Sequence, residues 1–226
     1  MFETLIGVLT KPEETMAAEK ANASIVRGII NFAIAALIMG FIAGAILTVI
    51  SLLIAPFIAM ISIIPGIDPV TVAALKALTS IGILAIVIVP IVAIILTVIA
   101  SLLANLVMWI SAKIAGGSGS FSLQYYLLSL IATPSLLVYL LFGIILIVSI
   151  VIPIIGLIGM PVAFAISGYL SIISTMAYIA AMKESHGFNT FKVAMATGIS
   201  SALMIVLATV LAVVIKVLGA ALFYGY

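Results

Sequence analysis

The chain has 226 residues, of which 67% are hydrophobic and only 6% are charged, and its mean hydropathy is +1.59. Soluble domains carry roughly 25% charged residues, so this composition excludes a chain that covers its own apolar surface against water. The eight scattered Lys and Arg exclude a nucleic-acid footprint, and the lack of cysteine excludes disulfides, thiol catalysis and cysteine metal sites.

Residues 1–23 are predicted to form a polar N-terminal arm. Its first segment has apolar residues at helical spacing, namely Phe2, Leu5, Ile6 and Leu9. This helix either lies on the membrane surface or packs on the protein's own helices. Pro12 suits the first turn of a second short helix, which reaches about Ala21.

Residues 24–226 are predicted to form one transmembrane domain, because long charge-free runs of this kind use lipid as their solvent. The runs show no strand-like alternation, so we expect an all-α, polytopic integral membrane helical bundle. About five spans are predicted, at Ser24–Ile64, Val72–Ala112, Ser122–Ile150, Pro161–Met182 and Val193–Leu222. Pro56 and Pro90 are candidate kinks, and the segment from Pro153 to Pro161 is a predicted turn. A six-span alternative divides the first or second run.

Orientation is predicted from the positions of Lys and Arg, which favour the cytoplasmic side. With the N-terminus inside, the inner side holds Lys11, Lys20, Arg27, Lys113, Lys183 and Lys192, and the outer side holds only Lys76 and Lys216. We therefore expect a multi-pass protein, in the cell membrane if the source is prokaryotic, with a cytoplasmic N-terminus and an external C-terminus. Tyr224 and Tyr226 then belong to the outer aromatic belt.

No acid, His or Lys of the kind that proton-coupled or ion-coupled transporters bury lies at membrane depth in the predicted spans, since Lys76 and Lys216 are near helix ends. The spans also contain no base–nucleophile pair and no pair of acids, so we expect no enzyme activity, no cofactor and no metal site. The single His, His186, lies in a predicted loop beside Glu184. We expect it to be solvated, with a pH-sensing or partner-contacting role as the alternative.

Small residues recur along the first span at Ala36, Gly40 and Gly44, a spacing that lets two helices approach closely. They pack either inside the chain or against a second copy. Asn31 and Asn105 are the notable amides within the spans. They either join helices of the bundle or line a polar pocket.

The stretch from Lys113 to Pro134 is the most glycine-rich part of the middle of the chain, yet it matches neither a P-loop nor a dinucleotide fingerprint. Its "GGSGSF" either makes a plain flexible turn or a dedicated loop. The loop, a Tyr pair, a Pro in the third span and "HGF" before the last span, together with the arm and five spans, resemble the Yip domain family of Ypt/Rab-interacting membrane proteins. The residues that carry this resemblance are Gly116, Gly117, Gly119, Ser120, Phe121, Tyr126, Pro134, His186 and Gly187.

Eukaryotic members of that family have a longer cytosolic N-terminal region with an Asp-Leu-Tyr-Gly-Pro-like motif, which this chain lacks. The short arm is more similar to prokaryotic members, archaeal ones above all. The resemblance implies a non-enzymatic membrane scaffold or adaptor, in contact with membrane lipids and with a protein partner or a second copy. The alternative function is a carrier or channel for a neutral or lipidic substrate.

Overall fold

The computed structural model describes the backbone of residues 2–64 and 67–224, and within these ranges the side chains of residues 2, 133–135, 150, 151, 153 and 219–224 are not described. The described part is an all-α helical bundle without strands, as the sequence predicts. Tyr226, which was predicted for the outer aromatic belt, lies outside the described residues, and so does the side chain of Tyr224.

The N-terminal arm consists of helix α1 (Phe2–Thr10), helix α2 (Pro12–Glu19) and a 3-10 turn over Lys20–Asn22. Val8 and Met16 are buried in a core shared with Leu127 and Ala181. The arm therefore packs on the protein's own helices, which was one of the two alternatives that the sequence left open.

Helices α3 (Ile25–Ile61) and α4 (Pro69–Ile114) form the largest contact in the bundle. Capping side chains fix where they start: Ser24 accepts a hydrogen bond from the Arg27 amide, and Asp68 accepts from the amides of Val70 and Thr71. Both helices are continuous through their internal prolines, Pro56 and Pro90. The six-span alternative, which required a break in one of them, is therefore wrong.

The predicted third span is not one helix, because it divides at Ile131 into α5 (Phe121–Leu130) and α6 (Ala132–Val151). Pro134 has no backbone N–H to donate to the carbonyl of residue 130, and it is best tolerated in a first helical turn. A break just before it satisfies both conditions. With 10 residues, α5 spans only about 15 Å. The 20-residue α6 covers the rest of the predicted third span and is about 30 Å long.

Helix α7 (Pro153–His186) follows α6 after Ile152, and helix α8 (Thr190–Tyr224) ends the described chain. The turn predicted from Pro153 to Pro161 is wrong, because Gly156, Gly159 and Pro161 all lie inside α7. The two glycines serve helix packing, since a Cβ on Gly156 would lie 2.8 Å from the Ser149 hydroxyl and one on Gly159 would lie 3.2 Å from Ile145.

In the part of the chain that the structure describes, four helices are long and apolar enough to cross a membrane, namely α3, α4, α7 and α8, and α6 adds a shorter apolar segment. The chain is therefore a multi-pass membrane protein. The buried residues concentrate at one end of the bundle, where the arm, α5, the C-terminal ends of α4 and α7 and the start of α8 meet. We call this the polar end.

Candidate functional site at the polar end of the bundle

The glycine loop (Ala115–Ser120) packs directly on the C-terminal end of α7. Gly116 has a φ of +85°, which is the left-handed region that glycine adopts readily. A Cβ on Gly117 would lie 2.7 Å from Nδ1 of His186, and a Cβ on Gly119 would collide with the Ser185 carbonyl. The loop therefore depends on glycine for close approach, and it is held in place by packing.

Two hydrogen bonds also fasten the glycine loop to its surroundings. The Trp109 indole donates to the Gly119 carbonyl over 3.1 Å, and the Ser118 amide donates to the His186 carbonyl over 3.5 Å. The Ser120 hydroxyl accepts from the Leu123 amide and thereby caps α5. The "GGSGSF" and "HGF" segments, which are about 70 residues apart in sequence, thus form one structural unit.

His186 is buried, with 3% of its surface exposed, so the prediction that it is solvated is wrong. It is the last residue of α7, and Gly187 ends the helix in the left-handed conformation with φ +69°. The chain then turns so that Phe188 stacks on the imidazole at 5.3 Å between ring centroids. The sequence places His186 between polar residues, which conceals that this segment folds under the glycine loop.

A short chain of buried hydrogen bonds determines the protonation state of His186. Gln124 Nε2 donates to the Asn105 carbonyl over 3.1 Å, which leaves its Oε1 to accept from Nε2 of His186 over 2.7 Å. Nδ1 of His186 has no hydrogen-bond partner among the described residues. Burial opposes the charged form, so the imidazole is the neutral tautomer with its proton on Nε2.

Gln124 was not singled out in the sequence, although a signal was present. It is an amide within a segment predicted to span the membrane, it has no exposed surface in the structure, and a buried amide is costly unless it is hydrogen-bonded. Such a residue needs partners from other elements, here Asn105 and His186. Asn105 itself donates to the Ser101 carbonyl of its own helix over 2.8 Å, and its side-chain oxygen has no partner among the described residues.

The aromatic side chains of α5 divide into two groups. Phe121 stacks on Tyr125 at 5.6 Å and meets Trp109 edge-on at 6.4 Å. Tyr125 also exchanges a 2.9 Å hydrogen bond with Ser101. Tyr126 lies apart from this group, because it turns towards the arm.

Tyr126 ties the arm to the bundle through Glu19. Its hydroxyl donates to the Glu19 carboxylate over 2.6 Å, and Thr4 and Asn22 donate to the same carboxylate over 2.9 and 3.2 Å. Burial acts to raise the pKa of Glu19, but these three hydrogen bonds outweigh it and hold the pKa below the ordinary value of 4.5. The carboxylate is therefore ionised at neutral pH. Two exposed ion pairs, Lys183–Glu13 and Lys20–Glu184, add little to this attachment.

Beside this contact lies a cleft of about 630 Å³ between α1, α3 and α5. Its polar part includes Thr4, Glu19, Arg27 and Tyr126, and its apolar part includes Ile30, Ile34, Ile38, Leu130 and Leu136. Asn31 also lines the cleft and donates to Ser129 over 2.9 Å. Asn31 therefore fits both interpretations that the sequence left open, because it forms an interhelix hydrogen bond and also lines a polar pocket. Asn105 does not line this cleft.

The helix-packing candidates on α3 are used within the chain. Ala36, Gly40 and Gly44 are buried, and a Cβ on Gly40 would lie 2.5 Å from the Pro90 backbone. One on Gly44 would lie 2.6 Å from the Ala85 carbonyl. The alternative that this face binds a second copy is therefore wrong, because α4 already covers it.

The structure thus brings together Gly116, Gly117, Gly119, Ser120, Phe121, His186 and Gly187, and it sets Tyr126 apart at the arm. Pro134 belongs to α6, and its side chain lies outside the described residues. Among residues 2–64 and 67–224, no three His, Asp or Glu side chains form a group that could hold a metal ion. No protein-family model, curated protein or solved structure matches the chain.

Proposed function

We propose that this chain is a non-enzymatic membrane scaffold or adaptor that binds another membrane protein, or a second copy of itself, through helix α8. The observation that carries the proposal is the exposure of that helix. Val193, Ala196 and Ser200 are buried against the bundle, but every residue from Ser201 to Leu218 is exposed. About five turns of an apolar helix thus project without a packing partner among the described residues.

The residues around the start of this exposed segment have the composition of a helix–helix contact. Gly198 and Ala202 are small residues four positions apart, and a Cβ on Gly198 would meet nothing within 4 Å. On α3 the same spacing at Gly40 and Gly44 is filled by α4. Small residues at this spacing let another helix approach closely, and lipid tails gain little from them.

The test is purification of the tagged chain from its native membranes in a mild detergent, with mass spectrometry of whatever stays bound. Gly198→Leu is the test variant, and Gly168→Leu on α7 is its matched control, because a Cβ on Gly168 also meets nothing within 4 Å. We expect a partner in near-equal amount with wild type and Gly168→Leu, and its loss with Gly198→Leu. The adaptor proposal fails if all three chains carry only lipid.

The polar end would provide a second, cytosolic contact surface. Its loop, arm and α7–α8 connection are fastened to one another, so they would present a fixed shape to a partner. We further propose that this end faces the cytoplasm, with the C-terminus of the chain outside, in the cell membrane. Six of the eight basic residues lie on elements of this end, which supports the orientation. Because the chain has no cysteine, labelling of a single Ser118→Cys variant in sealed cells tests it directly.

We also propose membership of the Yip domain family, as a prokaryotic and specifically archaeal type. Two of the segments that carry the resemblance, the glycine loop and "HGF", pack on each other at Gly117 and His186. Segments that form one unit have a physical reason to occur together, which supports the proposal. An experimental structure of an undisputed family member in which the corresponding two segments do not contact each other would count against it.

A second candidate function is a carrier for a lipidic substrate. The cleft beside Tyr126 favours it, since it combines polar groups with an apolar row of side chains. Vesicles that contain the purified chain would be tested for movement of a labelled lipid between leaflets. Movement no faster than in protein-free vesicles would leave the cleft as a binding site without transport.

A further inference from the structure

We propose that the cleft beside Tyr126 binds a single-chain portion of an anionic amphiphile, with its phosphate or carboxylate at Arg27 and its alkyl chain along α3. This site would serve an adaptor or a carrier and rests on neither function. Three observations support this site: the shape of the cleft, the hydrogen bonds made by Arg27 and Glu19, and the part of the cleft wall that the arm forms.

The apolar part of the cleft has the dimensions of an alkyl chain. Ile30, Ile34 and Ile38 are four residues apart, so they form a row on one face of α3 that is about 12 Å long. Leu130 at the end of α5 and Leu136 on α6 also line the cleft. A volume of about 630 Å³ is within the usual range for sites that hold a small molecule.

The polar part of the cleft has one cation with unused donors. Arg27 donates from Nη1 to the Asn22 carbonyl over 3.1 Å and also interacts with the Tyr126 hydroxyl. A guanidinium has five N–H donors, and no carboxylate lies within ion-pair distance of Arg27 among the described residues. The remaining donors suit a phosphate or carboxylate, which guanidinium binds with two parallel hydrogen bonds.

Glu19 also lines the cleft, but it forms no direct ion pair with Arg27. Its oxygens accept from Thr4, Asn22 and Tyr126, so neutral donors already satisfy the carboxylate. The Tyr126 hydroxyl donates to Glu19 and interacts with Arg27, and it therefore stands between the two charges. Arg27 is the group left to attract an anion, and its position one turn before Ile30 places it at the head of the apolar row.

The arm provides one wall of the cleft, because Thr4, Leu5 and Val8 of α1 are among its lining residues. A ligand that binds only when the arm is docked stabilises the docked arm by mass action. Occupancy of the cleft would therefore protect α1 from opening. This gives the proposal a readout that is independent of a direct binding signal.

The experiment uses the full chain, purified in a neutral detergent, and three 16-carbon probes: hexadecyl phosphate, hexadecanoate and the neutral hexadecanol. Binding is measured by native mass spectrometry, and hydrogen exchange of residues 2–10 is measured in parallel. We expect one bound molecule of an anionic probe, slower exchange in α1, and at least tenfold weaker binding of hexadecanol. Tighter binding of hexadecyl phosphate than of hexadecanoate would identify a phospholipid as the source of the anionic group, and the reverse order would identify a fatty acid.

Two variants and their controls make the test decisive. Arg27→Gln should weaken anionic binding roughly 10-fold to 100-fold, whereas Lys192→Gln, with the same change of charge outside the cleft, should leave it unchanged. Ile34→Trp should fill the cleft and abolish binding, and Val87→Trp on an exposed position of α4 should not. Equal binding of hexadecanol and hexadecyl phosphate, or unchanged anionic binding by both Arg27→Gln and Ile34→Trp, would overturn the proposal.

Discussion

The close contact between the glycine loop and α7 makes a sharp prediction for Gly119→Ala. The new methyl group would collide with the Ser185 carbonyl and would also lie 3.0 Å from Nδ1 of His186. A backbone carbonyl at the end of a packed helix cannot rotate away as a flexible side chain can. Either the loop or the end of α7 must therefore shift.

The size and sign of the change in the free energy of unfolding follow from this contact. Adding a methyl group to a well-packed region costs typically 1–3 kcal/mol, and we expect the upper half of that range because the obstacle is backbone. The same substitution at Gly198 should have the opposite sign. Gly198 is inside α8 with nothing within 4 Å of an added Cβ, so alanine should stabilise the helix by about 0.5–1 kcal/mol.

The assay is equilibrium unfolding in mixed micelles, with the near-ultraviolet circular dichroism of Trp109 as a local probe, since its indole donates to the Gly119 carbonyl. We expect Gly119→Ala to lower the free energy of unfolding and to change the Trp109 signal, and Gly198→Ala to do neither. Equal stability of wild type and Gly119→Ala would refute the close packing of the loop. Destabilisation by Gly198→Ala would show that another segment occupies the space around that glycine.

Three further outcomes are expected. Gly40→Val should separate α3 from α4 and lower the free energy of unfolding by about 3 kcal/mol or more, because even a Cβ would lie 2.5 Å from the Pro90 backbone. Unfolding in mixed micelles measures this change, and a variant as stable as wild type would contradict the helix pairing. Tyr126→Phe should weaken attachment of the arm by about 1–2 kcal/mol, because it removes a hydrogen bond to a carboxylate that is only half-buried. Faster hydrogen exchange in α1 should report this loss, and unchanged exchange would argue against the hydrogen bond. The pKa of Glu19 is lower in the folded chain than the ordinary value of 4.5, so its contribution to arm attachment should be complete above about pH 4.5 and should disappear as pH falls through the folded pKa. Hydrogen exchange of α1 should therefore depend on pH in wild type, and a Glu19→Gln chain should lack this dependence. An identical dependence in both chains would contradict the assignment.

The long helices could be predicted from the sequence, because lipid requires every backbone group of a spanning segment to be bonded within it. Charge-free runs therefore gave α3, α4, α7 and α8 to within a few residues, apart from the start of α7. Prediction from local sequence failed where a residue is compatible with both a turn and a helix. Pro161 favours a turn by its local chemistry, yet it lies inside α7, because proline is tolerated within helices of membrane proteins.

The candidate site could be predicted only in part. The glycines and "HGF" were recognisable as motifs, but their contact depends on Gly187 turning the chain after α7, which places His186 under the loop. The partner of His186 is Gln124, and the two are 62 residues apart in sequence. Pairings over such distances follow from the packing of whole helices. The cleft depends likewise on where the arm docks, which its local pattern left open between membrane and protein.

Glycines on the surfaces of these helices distinguish contacts that are made from contacts that are not. A glycine inside a helix costs roughly 0.5–1 kcal/mol relative to alanine, and close packing against a neighbour compensates for that cost. Gly40 and Gly44 on α3 and Gly159 on α7 each have a neighbour that a Cβ would press against. Gly168 on α7 and Gly198 on α8 have no such neighbour among the described residues. Gly198 differs from Gly168 in that it lies where α8 leaves the bundle, directly before the exposed turns from Ser201 to Leu218. A helix from another chain could offset the cost of this glycine, which is why α8 is the surface on which the adaptor proposal should be tested first.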